Sequence, residues 1–117
     1  MRLDVTVHVD DAVLKALPEK ARRRLEDVLL LAGHNVERRA KGKVPVKTGA
    51  TRSSIHVDNR KLKELEVSIG PSTFYAPYLE FGTRYMAARP FMVPSLEEER
   101  LPFTRAAEQV LKEAASG

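Results

Sequence analysis

Few residues in this chain have the types and spacing for chemistry, and their arrangement argues against most reactions. Gly42-Lys43 and Lys47-Thr48-Gly49 look like fragments of a phosphate-binding loop. That loop needs Gly directly before Lys-Thr, because bare backbone amides must wrap the phosphate. Here Val46 precedes Lys47 and Pro45 removes an amide, so no nucleotide cofactor is expected. His8 and His56 fall on the outward faces of two expected strands, with Glu66 as a neighbour if those strands pair. Two histidines without a preset third ligand are usually surface residues, so no metal is expected. A hydrolytic triad would have to come from Ser53 or Ser54, His34 or His56, and Asp58, with no nucleophile elbow around any serine. Glu97, Glu98 and Glu99 are consecutive at an expected helix start, where negative charge suits the helix dipole. With no cysteine there is no thiol nucleophile, disulfide or Cys-based zinc site. The sequence therefore predicts neither catalysis nor a cofactor.

What remains is charge and aromatic surface. The 117 residues carry 20 Lys+Arg against 16 Asp+Glu, a net charge of +4. Residues 1–63 hold 15 basic and 8 acidic side chains (+7), whereas residues 64–117 hold 5 and 8 (−3). One cluster, Lys20, Arg22, Arg23 and Arg24, circles the start of an expected helix. A second, Arg38, Arg39, Lys41, Lys43, Lys47 and Arg52, gathers at its far end. Such clusters could follow nucleic-acid phosphates, which makes a small non-specific nucleic-acid-binding protein one alternative reading. Against it, six of the seven aromatics lie apart from these clusters, between Phe74 and Phe91.

The elements that must carry these residues follow from periodicity. Leu3, Val5, Val7 and Val9 alternate with polar residues and predict a half-buried strand. Asp10 and Asp11 offer caps for a short helical turn. From Pro18 a helix is expected to about Lys41, with Ala21, Leu25, Val28, Leu29, Ala32, Val36 and Ala40 on one stripe. Leu30 falls off that stripe, on a face with Arg23 and Asp27, and is a candidate subunit contact. The alternations Ser53-Ile55-Val57 and Leu65-Val67-Ile69, around the polar turn 59–63, predict a β-hairpin. Tyr75, Tyr78 and Leu79, with Phe81 beyond, suggest a short helical turn ended by Gly82. Ser95 and Glu98 have capping-box spacing for a last helix, which Pro102 should kink or restart before Phe103, Ala106, Ala107, Val110, Leu111 and Ala114 form its apolar stripe. The expected fold is α+β: one domain over residues 1–117, a small, mainly antiparallel sheet packed against a long helix in the N-terminal half and a C-terminal helix. At this length roughly two-thirds of the unfolded surface is buried, enough for one core.

Three ordered motifs carry a resemblance. Residues 44–55 (Val44-Pro45-Val46-Lys47-Thr48-Gly49-Ala50-Thr51-Arg52-Ser53-Ser54-Ile55), 75–83 (Tyr75-Ala76-Pro77-Tyr78-Leu79-Glu80-Phe81-Gly82-Thr83) and 86–96 (Met86-Ala87-Ala88-Arg89-Pro90-Phe91-Met92-Val93-Pro94-Ser95-Leu96) resemble the small head-to-tail joining or tail-completion proteins of long-tailed phages, the HK-type lambdoid gene-ten product family. Thr51 stands where leucine is usual, and Ser95 where alanine is common. The resemblance implies a structural virion protein of the neck, assembled in the host cytoplasm, with no membrane partner. It implies a ring of copies, a hexamer in preference to a dodecamer, that meets connector or head-completion proteins and tail-tube or tail-terminator proteins. A tail terminator capping the tube is the neighbouring alternative. A ring needs two different faces of one subunit to meet, and a basic half beside an acidic half suits that. The candidate interface residues are Leu30, Tyr75, Tyr78, Phe81, Arg84, Tyr85, Met86 and Arg89. The candidate lining of a DNA passage is Arg38, Arg39, Lys41, Lys43 and Lys47.

Only Asn35, Asn59 and Gln109 carry amides, beside twelve arginines, a composition expected of a thermophilic source. The expected thermal midpoint therefore lies above the ~45–65 °C of ordinary mesophilic domains, and a calorimetric midpoint inside that range contradicts the expectation.

Overall fold

The computed structural model describes residues 3–45 and 49–116. In chain order the elements are β1 (Val5–His8), α1 (Asp11–Ala16), α2 (Glu19–Lys43), α3 (Gly49–Ser54), β2 (His56–Asp58), β3 (Glu66–Gly70), α4 (Ala76–Phe81) and α5 (Met92–Ser116), with a 3-10 turn at Leu62–Glu64. The three strands form an antiparallel sheet in the order β1-β3-β2. One sheet face lies against α2, and α2 in turn packs along α5, so the α+β architecture expected from the sequence is the one observed. The molecule is elongated, 55 × 23 × 22 Å, because two 25-residue helices set its length.

Local physics accounts for the elements. The Asp10 carboxylate accepts the Ala12 N–H at 2.8 Å and caps α1. On α2, Ala21, Leu25, Leu29, Ala32, Val36 and Ala40 are buried as their spacing requires, while Val28 sits at the stripe's edge. Gly33 is buried with them. A Cβ there would lie 3.3 Å from Val57 Cγ1 and 3.5 Å from Val67 Cγ2, so the residue that weakens the helix also lets α2 approach the sheet closely. Leu25, Leu29, Val36, Ile55, Leu65, Val67, Ile69, Phe91 and Met92 belong to one apolar cluster between these layers.

Three expectations are corrected. First, residues 53–57 are not one strand: Gly49–Ser54 is helical and the strand begins at His56. Thr51 and Ile55 are both buried, four residues apart, which is helical spacing. The seryl hydroxyls bond back to carbonyls of that turn, Ser53 to Gly49 and Ala50, and Ser54 to Thr51. Gly49 is the first residue of that helix. The buried Thr51 hydroxyl meets the Thr73 hydroxyl at 2.9 Å, so the polar residue that replaces the usual leucine has a partner. Second, the capping box at Ser95 does not form. The helix begins three residues earlier, at Met92, and Ser95 Oγ donates to the Phe91 carbonyl from inside the first turn. Third, α5 runs through Pro102 as one helix.

The seam between α2 and α5 is electrostatic at both ends. The buried Glu99 carboxylate accepts from Asn35 Nδ2 at 3.1 Å and Arg39 Nε at 3.3 Å. Glu98 meets Lys43 Nζ at 2.6 Å and Arg39 at 3.5 Å, and Glu113 pairs with Arg24 at the other end. Three cations of the basic half, Arg24, Arg39 and Lys43, thus meet carboxylates of the acidic half inside one subunit.

Two outcomes follow for stability. The Lys43 hydrogen bond holds the Glu98 carboxyl below its ordinary value of 4.5, and the Arg24 bond does the same for Glu113. A carboxylate lowered in the folded state contributes stability above its unfolded pKa and loses it as pH falls. The thermal midpoint should therefore drop as pH is taken below about 4.5, less steeply in the Glu98→Gln/Glu113→Gln variant; an unchanged slope contradicts the role of the seam. At Gly70 an added Cβ would lie 2.1 Å from Asp4 Oδ1 and 2.3 Å from the Leu3 carbonyl, whereas nothing lies within 4 Å at Gly42. In urea denaturation Gly70→Ala should cost about 1–3 kcal/mol, and Gly42→Ala should stabilise by up to ~1 kcal/mol.

Candidate functional site

Where α5 begins inside the protein, its first N–H groups need acceptors. The Glu80 carboxylate supplies them from α4. Oε1 accepts from Phe91 N at 3.0 Å and Met92 N at 2.8 Å, and Oε2 accepts from Val93 N at 3.1 Å. The next residue is Pro94, which has no N–H to satisfy. Glu80 is 3% exposed, and among the described residues no cation pairs with it. The three N–H groups and the positive end of the helix dipole balance its charge instead.

This clamp closes the segment between the two helices. α4 ends at Gly82, whose φ of 77° favours glycine and whose Cβ would meet Ala88 N at 2.8 Å and Met86 O at 2.9 Å. Thr83 and Met86 then pair across a tight turn (2.8 and 3.3 Å), and Arg89 N–H donates to the Leu79 carbonyl at 2.7 Å. Residues 83–90 fold back on α4 yet stay exposed. Tyr85 is 90% exposed at the tip, with the Arg84 guanidinium 5.9 Å from its ring centre.

α4 adds to the same surface. Its inner face buries Ala76, Pro77, Leu79 and Glu80, and its outer face presents Tyr78 and Phe81, both more than half exposed. Phe74, just before the helix and four residues from Tyr78, is 83% exposed, its ring edge-on to Tyr75 at 5.3 Å. Of the expected interface residues, Tyr78, Phe81, Arg84, Tyr85, Met86 and Arg89 are all exposed on this segment, and Tyr75 is half-buried against the core. Phe74 was missed, although its i, i+4, i+7 spacing with Tyr78 and Phe81 was a readable signal. Leu30 lies apart on α2 and is half-buried; the exposed leucine there is Leu31, at 62%. The helix rotates about 100° per residue, so the stripe that takes in Gly33 leaves Leu30 at its border and Leu31 beyond it.

The residues expected to line a DNA passage are divided. Arg39 and Lys43 bind Glu98 and Glu99, and Lys41 lies 3.6 Å from Glu37. Arg38 is exposed, its guanidinium 3.5 Å from Asn35 Oδ1. Lys47 lies outside the described residues. His8 faces Glu66 at 3.6 Å, at one end of β3, while His56 pairs with Gly70 at the other, so the two imidazoles do not converge.

The α+β frame holds an aromatic, arginine-bearing surface out from its core, a composition common in surfaces that contact other proteins. The comparison with protein families agrees: residues 11–82 match the family described as "Bacteriophage HK97-gp10, putative tail-component". The match spans more than half of the chain, and the chain belongs to this family of phage tail components. It takes in the first motif and the second as far as Gly82, with Thr83, the third motif and α5 beyond it. Neither the curated proteins nor the solved structures gave a match. Among the described residues no helix is long and apolar enough to cross a membrane.

The clamp makes a local prediction. Glu80→Ala leaves three inward-facing N–H groups without acceptors and should cost on the order of 3 kcal/mol, with faster hydrogen exchange at Met92 and Val93. Glu80→Gln, which keeps one carbonyl acceptor, should fall between Ala and wild type. Unchanged exchange at these amides in Glu80→Ala contradicts the clamp.

Proposed function

We propose that this tail component completes the tail and joins the tail tube to the portal-side connector, by assembling as a ring of copies and without catalysis. The observation that carries the reading is the exposed surface formed by Phe74, Tyr78, Phe81, Tyr85 and Met86 on a segment pinned at both ends. That much unpartnered aromatic area is characteristic of a surface covered in an assembly. The hexamer remains the favoured ring and the dodecamer the second choice. Each requires a heterologous interface, since one patch meeting itself would close a dimer. Within the described part of the basic cluster, Arg38 is the residue best placed for contact with passing DNA. The protein then resides in the virion, at the neck.

Deleting the gene from its phage should yield filled heads and separate tails, and supplying the chain in trans should restore joined particles. Joined particles in its absence contradict the proposal.

A further inference from the structure

We infer that the surface around Tyr85 docks on an acidic protein partner, one whose carboxylates flank an apolar recess, in preference to another copy of this chain or nucleic acid; the inference rests on the joining role proposed above. From Val67 to Leu96 the chain has one carboxylate, Glu80, and it is buried beneath the N-terminus of α5. The exposed charges of this surface are therefore Arg84 and Arg89, and among the described residues neither guanidinium meets a carboxylate. Aromatic rings beside unpaired arginines form the composition of a binding hot spot, and the matching surface must supply negative charge at its rim. The closed turn at Thr83–Met86, the Arg89–Leu79 hydrogen bond and the Glu80 clamp order the loop before any partner arrives, which lowers the entropy lost on docking.

Another copy is a poor match for the charge. Two carboxylate pairs of this chain, Glu98 with Glu99 on α5 and Asp58 with Glu66 on the open sheet face, already face cations of the same subunit. A duplex is a poor match as well. Phosphate tracking needs a run of cations, and this surface offers two among rings and a thioether for which the DNA backbone has no apolar complement.

The test uses the full chain with heads and with tails purified from phage that lack its gene. Wild type should co-sediment with one of the two at low salt, less so as salt is raised. Arg84→Glu/Arg89→Glu should weaken that binding by about tenfold or more, Tyr85→Ala should weaken it similarly, and neither should change the sedimentation of the chain alone. Undiminished co-sedimentation of the charge-reversed variant overturns the inference. So does a loss of self-association in these variants, which would make the surface a contact between copies, or a gel shift of duplex or single-stranded DNA that they abolish. If the wild-type chain pellets with neither heads nor tails, the joining role itself fails, and the inference with it.

Discussion

A helix that starts inside a protein brings N–H groups with no partner in its own backbone, and leaving them bare costs more than most single contacts return. Here the solution comes from a carboxylate eleven residues upstream of the first N–H it binds. Glu80 takes three of these donors, and Pro94 removes the next. The consequence is geometric: α4 cannot shift relative to α5 without uncovering a buried charge and three amides together. Because the segment between them is tethered at both ends, Tyr85 and its arginine neighbours are displayed on a fixed turn. Two motifs that read as separate stretches of sequence are two sides of one contact.

The second constraint is the pairing of α2 with α5. Apolar stripes bring the helices together, and Arg24, Arg39 and Lys43 on one meet Glu113, Glu99 and Glu98 on the other, as two antiparallel helices require. Exposed pairs such as Arg24–Glu113 add little individually. The buried Glu99, held by both Asn35 and Arg39, fixes the register, since removing either donor would leave a charge inside. Three of the cations that the sequence places in a basic half therefore meet acidic partners across this helix pair.

Much of this was legible in the sequence. The strand at Val5, the long α2 with its stripe, the antiparallel pairing of residues 56–58 with 68–70, and the stop at Gly82 all follow from local period and turn chemistry. Tertiary partners hid the rest. The end of the helix at residues 49–54 passed for the start of a strand at Ser53, because three alternating residues cannot be told from a buried i, i+4 pair such as Thr51 and Ile55. Ser95 looked like a cap because the true cap is distant in sequence. Pro102 suggested a kink or a restart, and the helix does not restart there: it continues through the proline as one element. Six of the expected interface residues lie on the exposed segment. That Glu98 and Glu99 fold back on Arg39 and Lys43, two of the residues expected to line a DNA passage, is revealed by nothing local.

The account turns on whether the aromatic end is covered in the assembled particle. A cryo-electron microscopy reconstruction of the phage neck that resolves this chain would decide it. It should show density of a different protein seated over Tyr85, with acidic side chains beside Arg84 and Arg89. A neck in which residues 74–90 face open solvent would contradict it.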